Sequence, residues 1–196
     1  PIWRTVAVPS DIRLYDLHKV IQAAFGWENY HLHQFILNKK KPKPTNVELA
    51  ELIRSENWEE FASRMTNQRF FSLPMFELED IEDERKIRLS DLVPMPKQKL
   101  EYEYDFGDSW KHIIEVKKVE PPAGGVTYPI CLDGKLACPP EDCGGVWGYY
   151  DILEAVKDPR HPQHEDLKEW LGKDFDPDYF DLARTNAILA KVRLKP

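Results

Sequence analysis

The order of patterns along the chain predicts an α+β fold: a mainly antiparallel sheet with a crossing helix, a long β-hairpin and trailing C-terminal helices. Three observations carry that expectation. An alternating segment at residues 2 to 8 is followed at once by an amphipathic helical pattern. Alternating runs flank Gly107-Asp108, as strands flank a tight turn. Helical spacing then returns after residue 145, so strands come early and helices late.

Each element has its own local reason. Ile2 to Val8 alternates large apolar with smaller or polar residues and stops at Pro9, as a half-buried strand does. Ser10 or Asp11 supplies a cap. Leu14, Leu17, Val20, Ile21, Ala24 and Phe25 then recur at helical spacing until Gly26. His31 to Leu37 reads as a second strand, followed by the basic turn Lys39-Lys40-Lys41-Pro42-Lys43-Pro44. A helical insertion is expected at about 46–67, and the acidic stretch 77 to 84 reads as a loop. Lys86 to Leu89 reads as a short edge strand. In the hairpin, Leu100, Tyr102, Tyr104 and Phe106 alternate with acidic residues before a second strand from Trp110 to Val119. A Cys/Pro/Gly-rich loop spans about 120–145, and C-terminal helices occupy 146–192. The length fits a single domain over residues 1–196.

Composition narrows the function. The chain has 27 Lys and Arg against 34 Asp and Glu, a formal charge of −7, which disfavours broad nucleic-acid binding. No apolar run approaches the ~18 residues of a membrane span, and no secretory leader opens the sequence. Three cysteines, an odd number, do not form a secreted disulfide framework, so a reducing cytoplasm is the expected compartment. The start at Pro1 implies a few residues upstream of this sequence. Phosphate-loop, dinucleotide-fold, serine-elbow and zinc-protease helix signatures are absent.

The candidate site residues are His31, His33, Asp105, Asp108, His112, Glu141 and Asp142. His31 and His33 lie two apart on an expected strand and would share a face. Asp105, Asp108 and His112 cluster about the hairpin tip, and Glu141 and Asp142 precede a Gly144-Gly145 turn into a helix. Zinc or another divalent metal has two candidate ligand sets. One is His31, His33 and His112 with Asp105 or Asp108. The other is Cys131, Cys138 and Cys143, whose gaps of six and four residues differ from zinc-knuckle spacing. For each group a packing role competes: histidines at a sheet rim or in the core, glycines serving a turn, and thiols buried without metal.

Ile2-Trp3-Arg4, Phe25-Gly26-Trp27, His31-Leu32-His33-Gln34-Phe35, Tyr104 through His112, Cys138 through Gly145, Asp174-Phe175-Asp176-Pro177 and Phe180-Asp181 together resemble the Ri-plasmid open-reading-frame-three-like family. The likeness covers nearly the whole chain. It implies a compact α+β domain, and it implies that a strand usual in the family before Ile2-Trp3-Arg4 is missing here. Some members of that family are labelled transposon resolvases. This acidic sequence offers no nucleophile set among arginines, so that activity does not transfer. The expected role is a non-catalytic module binding a small ligand or a protein partner. The alternatives are a metal-dependent hydrolase with a His/Asp site, and a nucleic-acid-associated protein of mobile elements.

Overall fold

The computed structural model describes residues 1–38, 51, 54, 68–73, 81–172 and 175–195. The basic turn and nearly all of the helical insertion lie outside them. Among the described residues the strands are β1 (Trp3–Ala7), β2 (His33–Asn38), β3 (Gln68–Ser72), β4 (Ile81–Asp83), β5 (Lys99–Tyr104), β6 (Trp110–Glu115) and β7 (Ile130–Lys135). The helices are α1 (Leu14–Phe25), α2 (Leu89–Leu92), α3 (Gly145–Lys157), α4 (His164–Leu171) and α5 (Leu182–Leu189). The fold is α+β with mostly antiparallel pairing. Among the described residues it holds two sheets: β1–β7, and a five-stranded sheet ordered β4–β3–β2–β5–β6 in which only β3–β4 is parallel. None of these helices is long and apolar enough to cross a membrane.

The five-stranded sheet follows the alternation of its sequence. Leu100, Tyr102 and Tyr104 are buried on β5, while Glu101 and Glu103 face the other way. Register places His33, Tyr104 and Trp110 in one row across β2, β5 and β6, and Phe35, Tyr102 and His112 in the next, so these rings share one face. Helix α1 lies on that face. Its apolar positions Leu14, Leu17, Val20, Ile21 and Ala24 join Phe35, Phe71 and Leu100 in one cluster that continues to Tyr149 and Ile152 of α3 and Leu189 of α5. On the opposite side of the sheet Gln34 and Ser109 both donate to Glu103.

The small sheet is tied to α1 by Arg4. Its guanidinium donates to the carbonyls of Ala24, Trp3 and Lys135 and lies 4.1 Å over the Phe180 ring. Asn186 of α5 exchanges two hydrogen bonds with the Cys131 backbone, which docks α5 on β7.

Five local expectations change. The strand expected from His31 begins at His33. Ile81–Asp83, inside the acidic stretch, forms β4 against β3. Lys86 to Leu89 forms no sheet strand: Ile87 and Leu89 bond the backbone entering α1, Arg88 bridges Arg13, and α2 starts at Leu89. Finally, β7 lies within the loop segment 120–145, where Pro and Gly mask a strand that only pairing with β1 defines. Helix α1 itself starts at Leu14 with Arg13 at the cap, two residues past Asp11.

Two histidines belong to the packed layer. Burial holds His18 down to about 3, with His33 beside it adding to the effect, and burial against Phe25 and Trp27 lowers His112 to about 4. Both are neutral when folded and take up a proton when unfolded at their usual value near 6.5. Their contribution is complete above that pH and is lost as pH falls toward the folded values. Urea unfolding between about pH 6 and 4.5 should therefore lose roughly 1 kcal/mol per pH unit for each ring, with one proton fewer linked in His112→Gln. A stability that stays level across this range would contradict both assignments.

Candidate functional site

Three separate chain segments meet beside the N-terminal end of β2: residues 28 to 31, the β5–β6 turn and the loop before α3. Each is fixed by its own bonds. Asp105 takes φ 55 as the strand ends, donates its backbone N–H to Leu32 and accepts the Gly107 N–H on Oδ1, which leaves Oδ2 toward His31. Trp27 donates from Nε1 to the Pro139 carbonyl and stacks on Tyr104 at 5.0 Å. Glu141 accepts from the Glu28 N–H and from the Tyr104 hydroxyl. Asp108 accepts the Gly144 N–H at 3.1 Å. Gly145, at φ 68, brings its Cα so near the turn that a Cβ would lie 2.6 Å from the Asp108 carbonyl oxygen.

These ties crowd carboxylates about one imidazole. His31 Nε2 lies 3.0 Å from Asp142 Oδ1, 3.7 Å from Asp105 Oδ2 and 3.9 Å from Glu141 Oε2. It is buried, yet none of the three is aligned as a hydrogen-bond acceptor for it. Donor atoms of His31, Asp105 and Asp142 lie within 4.8 Å of one another, the one such group of three among the described residues. One nitrogen and two carboxylate oxygens suit zinc, manganese or iron, whose bonds to them are about 2.0–2.2 Å. The Tyr104 phenol, raised by burial and by Glu141, stays protonated and keeps donating to that carboxylate.

The other expected site residues lie elsewhere. His33 points away from this cluster: its Nε2 is 2.9 Å from Glu84 Oε2, and its ring stacks on His18 at 3.5 Å and 2°. His112 packs among Phe25, Trp27 and Tyr102 and donates from Nδ1 to the Trp110 carbonyl. The expected convergence of His31, His33 and His112 therefore does not match this geometry, because period two no longer relates His31 to His33 once β2 starts at His33. Asp108 serves as a tie between turn and loop. Cys131, Cys138 and Cys143 are free and form no three-donor group. Burial raises all three thiols, Cys143 to about 12, so they remain protonated.

The sequence reading passed over a second polar group. A cavity of about 310 Å3 opens between α1 and β2, with His18, Lys19, Asn29, His31 and His33 in its wall. Behind it Tyr102 donates to His18 Nδ1 and accepts from Gln22, while His18 Nε2 donates to Asn29 Oδ1. His18 had a signal: it sits four residues after Leu14 on the apolar stripe of α1. Glu84, fully buried, had none within an acidic stretch.

The close approach at Gly145 generates a test. Gly145→Ala should lower stability by about 1–3 kcal/mol, because turn and loop must separate, whereas Gly124→Ala, open on all sides, should stay within about 0.5 kcal/mol. Equal effects in chemical denaturation would remove the role given to this contact.

The comparisons agree with this architecture over nearly its full length. Residues 1–184 match the family described as plasmid pRiA4b ORF-3-like protein. The chain is 35% identical over 197 residues to the uncharacterized protein y4hQ of Sinorhizobium fredii (strain NBRC 101917 / NGR234), covering 99% of this chain and 86% of that protein. It is also similar to the crystal structure of MM3350, a protein of unknown function from Methanosarcina mazei Go1. That likeness has TM-score 0.72 and 38% identity over 92% of this chain and 87% of the other. With the family match over residues 1–184 and two relatives that each share more than a third of their aligned residues across nearly the whole chain, the chain belongs to the plasmid pRiA4b ORF-3-like protein family.

Proposed function

We propose that this chain is a ligand-binding module organised around a divalent cation held by His31, Asp105 and Asp142. One observation carries the reading: a buried imidazole nitrogen without an aligned hydrogen bond, with carboxylate donors from two other segments within 4.8 Å. Without a cation, three carboxylates surround a single ring, and their mutual repulsion opposes the loop closure that brings them together. A cation relieves that repulsion and accepts the nitrogen lone pair. Three protein donors leave coordination positions for a ligand, which is how such a module would hold one.

Metal-dependent hydrolysis is the second reading, favoured by Glu141. Its carboxylate stands 3.9 Å from His31 Nε2 and is oriented by Tyr104 and Glu28, so it lies where a base could act on a metal-bound water.

Calorimetric titration of metal-free protein with zinc and with manganese tests the first reading. One site is expected, weakened at least about tenfold in Asp142→Asn and in His31→Ala, and unchanged in Cys143→Ser. Absent binding, or binding that only the cysteine variant removes, would overturn it. Hydrolysis of model esters by the loaded protein, lost in Glu141→Gln with affinity retained, would decide for the second reading.

A further inference from the structure

We propose that the open edge of β6 pairs with β6 of a second copy of this chain, joining the two five-stranded sheets into one across a two-fold axis at Ile113. Strand β6 ends the order β4–β3–β2–β5–β6 and pairs only with β5 among the described residues. It runs in continuous register from Trp110 to Glu115, and neither Pro nor a bulge interrupts it. Ile113 stands in its middle at 60% exposure.

Ladder alternation decides which backbone groups of β6 are open. The Asp105 N–H donates to the Leu32 carbonyl, so the backbone groups of odd-numbered residues in β5 face β2 and those of even-numbered residues face β6. At the other end of the hairpin the Val116 N–H donates to the Gln98 carbonyl, in the same phase. Trp110, His112 and Ile114 therefore direct their N–H and C=O groups to β5, and those of Lys111, Ile113 and Glu115 point outward. None of these three makes a backbone hydrogen bond outside the ladder among the described residues.

The side chains select the partner. Lys111, Ile113 and Glu115 lie on one face of the strand, and all three are exposed. Charges on an edge usually keep it unpaired, but here they are opposite in sign and symmetric about Ile113. In an antiparallel pairing centred there, Lys111 of each copy stands opposite Glu115 of the other and Ile113 meets its own counterpart. The outward N–H and C=O groups then meet in hydrogen-bonded pairs. A slip of two residues sets Lys111 opposite Ile113 or Lys117, and both charges lose their match. Lys111 has no ion-pair partner among the described residues. Glu115 Oε2 lies 3.0 Å from Lys99 Nζ in an exposed pair, which leaves Oε1 for Lys111 of the other copy. The pairing uses none of the cation donors His31, Asp105 and Asp142, so it goes beyond the function proposed above and does not depend on it.

Sedimentation equilibrium of metal-free protein from micromolar to near-millimolar concentration tests the inference. A monomer–dimer equilibrium is expected. Ile113→Pro should weaken it at least about tenfold while the circular dichroism of the fold is retained, because the N–H it removes bonds nothing within the chain. Lys111→Glu and Glu115→Lys should each weaken it about tenfold, since each sets like charges opposite one another, and mixing the two variants should restore the dimer. If Ile113→Pro does not fold, the mixing result decides. A wild-type chain that stays monomeric throughout, a dimer untouched by a folded Ile113→Pro, or no recovery on mixing would overturn the proposal.

Discussion

Satisfying the polar atoms buried under α1 is the constraint on which the rest depends. Tyr102 and His18 lie at 0% and 1% exposure in the core, where an unmatched hydroxyl or imidazole costs about 1–3 kcal/mol. The solution is a closed set of bonds: Gln22 to Tyr102, Tyr102 to His18, His18 to Asn29, and the Asn29 backbone N–H to Gln22. That circuit fixes the position of α1 on β5 and holds residue 29, at φ 60, at the lip of the cavity. It also decides which nitrogens are engaged and which remain available for function.

A second consequence concerns the segment between β6 and α3. A Pro/Gly-rich stretch of this length needs fixed points, and here these are polar ties rather than a thiolate cage. Trp27 holds the Pro139 carbonyl, Asp108 holds the Gly144 N–H, Glu141 receives Glu28 and Tyr104, and Asn186 brackets Cys131. Because these ties come from the segment after α1, the hairpin and α5, the loop's carboxylates reach His31 only when all three are in place. Packing and site geometry are therefore one problem.

Legibility in the sequence followed the range of the interaction. Helix α1 and the β5–β6 hairpin were readable because period and turn chemistry are local. The strand Ile130–Lys135 was not, since its partner Trp3–Ala7 lies more than a hundred residues away and nothing nearby alternates cleanly. At the site, His31, Asp105, Glu141 and Asp142 stood out as polar residues in dense motifs, yet their grouping needs three segments in contact. His33 was read with His31 because they are two apart, and the bend before β2 separates them. His112 alternated with Trp110 and Ile114, which already pointed to the core. Glu84 carried no sign of burial, because its shielding comes from Ser72, Tyr15 and His33, all distant in sequence or on other elements.

The central claim is that buried hydrogen bonds set the state of each imidazole. Long-range proton–nitrogen NMR correlation of the histidine rings measures this directly. The account predicts His18 as the neutral Nε2–H tautomer at pH 5, an Nε2–H of His33 hydrogen-bonded to Glu84, and the His31 nitrogens alone displaced by a divalent cation. Protonation of His18 near its ordinary value of 6.5, or displacement of His33 and His112 together by the cation, would contradict it.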